Sequence, residues 1–232
     1  MSNLKQIGLG LIQYIQDYDE LMPLKDVAAG CNGGTGGAAV PGAKSWRTLI
    51  QPYTKSTQVF ACPSNPLNGT NSPYDQDATV GRIPLSYSVN NNAIYGGTNG
   101  SGTDCSYRPT GQSPLHQSQI QESSQFIVIG ENAEGNNEIT LKRTQAEMAT
   151  KTKGPFEGHF AGSNYMFADG HVKWLRPMQT VAPGSSPYNN LWIWGTPTTT
   201  LPQPDIYNNS NSLAAANTWY NTQLRYARDA WE

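Results

Sequence analysis

The chain of 232 residues is charged at only 14% of its positions, with a formal net charge of −2 and 15 lysines and arginines that never cluster. The basic stripe that phosphate binding requires is therefore missing, which excludes a nucleic-acid partner. A chain of this length buries a real core as one domain or as one domain with an appendage, and no apolar run approaches the ~20 residues of a membrane-spanning helix.

Leu4, Ile7, Leu11, Tyr14, Ile15 and Tyr18 recur at three- and four-residue spacing. That is the stripe of an amphipathic helix, expected over 2–21 and ended by Pro23, with Gly8 and Gly10 weakening it locally. Ala28–Gly42 is a Gly/Ala loop. Its Gly34, Gly36 and Ala39 fit a dinucleotide-binding spacing, but no strand precedes them and no helical pattern follows at once, so that reading is rejected. Ser45–Tyr53 reads as a short helix with Trp46, Leu49 and Ile50 inward, leading into a strand-like Gln58-Val59-Phe60.

Residues 63–84 form a polar loop. Asp75, Asp77 and Thr79 alternate as the opening of a calcium loop does, yet its central glycine and closing glutamate are absent, so solvated turn acids are the stronger reading and calcium the weaker one. Leu85–Val89 reads as a strand and is followed by a second glycine-rich loop. The continuous apolar run Gln125–Gly130 predicts a strand covered on both faces and central in a sheet. Glu131, at its end, is a site candidate by position. With no second acid or histidine at a telling spacing, it reads as a hydrogen-bonding residue. Glu138–Arg143 is a further strand or a loop.

From Gly158 to Leu175 the chain reads as a hairpin. Asp169-Gly170 between two aromatic and branched runs predicts a two-residue type I′ turn. Ala168 then faces His171, Phe167 faces Val172, Met166 faces Lys173 and Tyr165 faces Trp174, with Phe167, Val172, Tyr165 and Trp174 on one face. A His159–Asp169 catalytic pair is disfavoured, because four strand residues at ~3.3 Å hold the two about 13 Å apart. His159 then reads as a structural histidine, and Asp169-Gly170 as turn chemistry.

Beyond Pro177 the composition shifts to Pro, Asn, Ser and Thr around Leu191-Trp192-Ile193-Trp194 and then to a helical pattern over Ser212–Ala230. This divides the chain into a globular domain over 1–177, with helix 2–21 and a sheet core of about 58–175, and an extension over 178–232 that ends in a helix. Trp192 and Trp194 either pack the extension onto its own domain, stack on sugar or lie in a subunit interface. Asn68, Asn99 and Asn208 match the N-glycosylation pattern, which counts only in a source that glycosylates.

Of the three cysteines, Cys31 and Cys105 lie in glycine-rich loops and Cys62 in Ala-Cys-Pro-Ser. In an oxidising compartment Cys31 and Cys105 are candidates to bridge the two loops; in a reducing one all three stay thiols. The absence of CxxC, HExxH, GxSxG and P-loop motifs gives no support to a resident metal, cofactor or enzymatic activity.

His159, nine residues and then Asp169-Gly170 ahead of a short apolar strand resemble the C-terminal signature of the prepilin-type processing-associated H-X9-DG proteins. Three further blocks fall in that family's order: Met1 to Leu9 through Tyr14, Asp17, Tyr18, Asp19 and Pro23; Trp46, Leu49 and Pro52-Tyr53 through Val59-Phe60-Ala61-Cys62-Pro63-Ser64; and Ser86–Asn90. The four blocks cover roughly residues 1–175.

The resemblance implies an α+β, pilin-like fold, an N-terminal amphipathic helix packed on an antiparallel sheet with long Gly/Pro/Asn-rich loops. It implies a non-enzymatic structural subunit of a type IV pilus-like or pseudopilus-like filament at the cell envelope or extracellular surface. Its partners would be copies of itself or other pilin-like subunits, met through the N-terminal helix, and a prepilin peptidase acting on a precursor. A membrane would be engaged only through a hydrophobic helix that this sequence does not contain, so the chain is expected to be the soluble half of such a protein. Family members often carry a cysteine just upstream of Ser-Asn-Leu-Lys-Gln that can partner the Cys-Pro-Ser cysteine; here that position precedes Met1. The family signature maps onto His159, Asp169 and Gly170 and brings no reaction with it. The alternative is a carbohydrate-binding or adhesion module using Trp192 and Trp194.

Overall fold

The computed structural model describes residues 1–23, 26–27, 44–65, 75, 80–90, 93, 115–131, 138–139, 159–160, 162–180 and 191. Helix α1, Ser2–Asp17, buries Leu4, Ile7, Leu11, Tyr14 and Ile15, the predicted stripe. It stops four residues short of the expected Leu21. Asp19 and Glu20 both take left-handed backbone, φ +52° and +59°, and the Glu20 amide donates back to the Ile15 carbonyl. Two successive left-handed residues cannot continue a right-handed helix, so the chain turns away before Pro23 is reached. Tyr18 falls outside the stripe; it is exposed and stacks on Tyr14 at 4.2 Å between ring centroids.

A two-stranded ribbon, β1 (Asp26–Val27) with β2 (Lys44–Ser45), leads into α2, Trp46–Thr54. The Ser45 hydroxyl caps α2 by accepting the Arg47 amide, and Lys55 at φ +57° ends it. Trp46 and Ile50 point inward and are fully buried, as expected. Gln58–Phe60 is a single 3-10 turn rather than a strand.

The main sheet comprises β3 (Tyr87–Asn90), β4 (Ile127–Glu131), β5 (Glu138–Ile139), β6 (Ser163–Phe167) and β7 (Val172–Leu175), in the order β5-β3-β4-β6-β7. β3, β4, β6 and β7 are antiparallel to their neighbours, and the short β5 joins β3 in parallel. The apolar run of β4 occupies the middle position and is buried along its whole length, as its composition predicts. The chain is thus a mixed helix and sheet fold with an N-terminal helix on an antiparallel sheet. Among the described residues no helix is long and apolar enough to cross a membrane.

The hairpin between β6 and β7 differs from expectation by one residue. Phe167 pairs with His171, its amide donating to the His171 carbonyl at 2.9 Å while the Gly170 amide donates to Phe167 at 2.9 Å, so the loop has three residues. Of Asp169 and Gly170, only Gly170 has positive φ, +88°, whereas a type I′ turn needs both. Met166 therefore faces Val172, Tyr165 faces Lys173 and Asn164 faces Trp174. Phe167 and Tyr165 lie on one side, Val172 and Trp174 on the other, and the expected four-residue face does not exist.

Val89, Ile129, Met166 and Val172 form one cross-sheet row beneath α1. The helix approaches so closely that a Cβ on Gly8 would stand 2.7 Å from Met166 Sδ. Gly8 is thus a close-approach residue rather than merely a weak point in the helix. On the turn, Gly170 is favoured by its positive φ, and a Cβ there would stand 2.5 Å from Ile12 Cδ1 and push the end of that side chain aside.

Candidate functional site

Beyond the apolar row, the same face of the sheet turns polar. Two residues along each strand bring Tyr87, Glu131, Asn164 and Trp174 side by side, since side chains alternate and these keep the parity of Val89, Ile129, Met166 and Val172. Glu131 is 1% exposed, so its carboxylate must find partners. Oε2 accepts the Asn164 backbone amide at 2.7 Å, Asn164 Nδ2 at 3.0 Å and Ser163 Oγ at 3.4 Å. Oε1 accepts Asn164 Nδ2 at 3.2 Å and faces His159 Nε2 at 2.9 Å. An ionised carboxylate only accepts, so Nε2 is the donor of that contact.

His159 is placed from outside the sheet. Its amide donates to the Gly162 carbonyl, and its own carbonyl accepts Trp174 Nε1 at 2.8 Å. Gly162 makes room for that indole: a Cβ there would lie 2.4 Å from Trp174 ring atoms. Phe160, inside the same turn, has φ +58° and is 96% exposed. The contacts to Gly162 and Trp174 are those of the His159 backbone; its ring faces a charged partner, Glu131, that no sequence spacing indicated.

Cys62 closes the cluster, its Sγ 3.5 Å from His159 Nε2. Burial, followed by the charge of Glu131, raises its thiol pKa, with hydrogen bonding from Ser64 and Tyr87 opposing the shift. Burial also raises Tyr87, with Cys62 and Glu131 adding to the effect. The first turn of α1 borders the cluster, because Asn3 Nδ2 donates at 2.8 Å to the carbonyl of Ala61, the neighbour of Cys62.

This geometry does not make a nucleophilic triad. In such a triad the histidine takes the nucleophile's proton on one ring nitrogen and is oriented by the acid on the other. Here Cys62 and Glu131 share the same Nε2. A buried thiol held above its ordinary pKa is also a poor nucleophile.

The other sequence candidates lie elsewhere. Asp169 is taken by His171: Oδ1 meets His171 Nδ1 at 2.6 Å and accepts its amide at 3.1 Å, at the far end of β6 from His159. Asp75 is 1% exposed and not a solvated turn acid; its Oδ1 accepts the Ser45 amide at 3.0 Å and Thr48 Oγ1 at 2.6 Å, which secures the start of α2. Asp77, Cys31, Cys105, Asn68, Asn99, Asn208, Trp192 and Trp194 lie outside the described residues, as does the helix expected over 212–230.

Glu131 was marked in the sequence by its place at the end of the apolar run. Its partners were not, because His159 lies 28 positions after it and Cys62 lies 97 positions before His159. Comparison with family models, curated proteins and solved structures found no match to this chain.

Proposed function

We propose that the chain is the globular part of a pilin-like structural subunit, of the type IV pilus or secretion pseudopilus kind, at the cell envelope. One observation carries the reading: α1 lies along one face of the antiparallel sheet, and the residues of the H-X9-DG signature flank β6, the strand it packs on. His159 ties the segment before β6 to central strand β4 through Glu131. Gly170, at the other end of β6, sits directly under Ile12 of α1. The nine intervening residues contain the five of β6, the strand that the helix rests on, so the signature brackets that strand. The signature is then a docking device for the helix, which agrees with a subunit whose helix bears the assembly load. Exposed Leu9 on α1 and Tyr18 just past its end offer apolar surface.

The test places a prepilin leader and about 20 apolar residues, enough for a membrane span, in frame ahead of α1 in cells supplying a prepilin peptidase and assembly machinery. The expected outcome is leader cleavage and filaments whose subunits cross-link through cysteines introduced at Leu9, while the present chain alone sediments as a monomer. Filaments formed by the present chain alone, or a precursor that is cleaved but never assembles, would overturn the reading.

A further inference from the structure

We propose that Cys62, Glu131 and His159 form a binding site for a borderline-soft divalent cation of the zinc class. Their ligand atoms all lie within 4.8 Å of one another, and the donor set is a thiolate, an imidazole and a carboxylate. Zinc takes these three donor types at about 2.3, 2.0 and 2.0–2.2 Å in a tetrahedral array. Tetrahedral angles then separate sulfur from nitrogen by about 3.6 Å and nitrogen from oxygen by about 3.4 Å. The observed separations are 3.5 Å for Cys62 Sγ to His159 Nε2 and 2.9 Å for His159 Nε2 to Glu131 Oε1. On these two separations, admitting an ion requires the carboxylate and imidazole to part by roughly half an ångström.

The shared Nε2 that argues against a triad is what chelation needs: one imidazole nitrogen facing both other donors. Binding replaces the Nε2–H bond to Glu131 by a bond to the cation, as the Nε2 proton moves to Nδ1 or to solvent and the Cys62 thiol proton leaves as well. The surroundings are those of a held ligand set. Asn164 and Ser163 orient the carboxylate, and Trp174 holds the His159 backbone. Glu131 and Cys62 are buried, whereas the His159 side chain is 25% exposed and gives the ion its entry and a fourth position for water.

The experiment uses the full chain, reduced and free of chelator, titrated with Zn²⁺ against a colorimetric chelator and separately with Co²⁺. One equivalent is expected, with a thiolate-to-cobalt charge-transfer band and the intense visible absorption of a tetrahedral ion. Cys62→Ser and His159→Asn are each expected to weaken binding at least tenfold and to remove the charge-transfer band or change its tetrahedral spectrum. Cys31→Ser/Cys105→Ser is expected to retain both. A wild-type chain that binds no stoichiometric ion at micromolar concentration, or binds cobalt without a thiolate band, would overturn the site, and neither outcome depends on how Cys62→Ser folds. Loss of the band in the Cys31→Ser/Cys105→Ser chain would also overturn it, by moving the thiolate elsewhere. The site is independent of the filament reading, since either stands if the other falls.

Discussion

Two rows of the same sheet face, two residues apart along each strand, have opposite chemistry. Val89, Ile129, Met166 and Val172 lie under the middle of α1 and belong to the apolar core. Tyr87, Glu131, Asn164 and Trp174 lie toward its first turn and form a network of hydrogen bonds around a buried carboxylate. The same backbone ladder supports both. What differs is the means of stabilisation: the first row gains by removing apolar area from water, and the second must satisfy every polar atom it buries. The first row tolerates changes of shape that keep its volume, whereas the second depends on each partner.

Emptying the apolar row should produce the largest loss. Ile129→Ala is expected to cost about 2–5 kcal/mol in urea denaturation, the range for a truncated core residue. A loss under about 1 kcal/mol would mean that the row does not carry the helix. In the polar row, Glu131→Gln keeps the shape but turns one acceptor into a donor facing donors. We expect a loss of about 1–3 kcal/mol, the penalty for unsatisfied buried groups. If Glu131→Gln is neutral while Glu131→Leu is more stable, the cluster is not needed for folding and is held for another purpose.

Gly162→Ala tests the scaffold behind that row. Its Cβ displaces a rigid indole at 2.4 Å, so a cost of about 1–3 kcal/mol is expected, together with a change in Trp174 fluorescence as the bond to the His159 carbonyl is lost.

The smallest effect is a pH dependence at the other end of the helix. Burial, with Tyr18 adding to it, raises Tyr14 to about 12, and the bond to Asp17 followed by burial raises Tyr53 to about 12. The unfolded chain releases these protons near 10, so it binds fewer protons than the folded chain in that interval. The stabilisation is therefore complete below pH 10 and lost as pH rises from 10 through about 12. Phenolate absorbance should show these late ionisations, and Tyr53→Phe should remove one of them.

Much of the architecture was legible along the chain because its causes are local. The stripe of α1 repeats every three or four residues whatever it packs against, and the run of β4 is apolar on both faces because both are buried. The Asp169-Gly170 turn was legible as a turn. Its length was not: a type I′ turn and a three-residue loop both accept Asp-Gly, and the choice moves every side chain of β7 to the opposite face. The helix boundary was misplaced for a similar reason. Nothing in the residue types of Asp19 and Glu20 demands a left-handed backbone.

The amphipathic helix, the buried central strand and the presence of a hairpin follow from periodicity and composition, which act between residues a few positions apart. The register of that hairpin and the meeting of Cys62, Glu131 and His159 follow only from the folded sheet. They join a strand end, a turn and a loop separated by tens of residues, and no local spacing encodes such a contact.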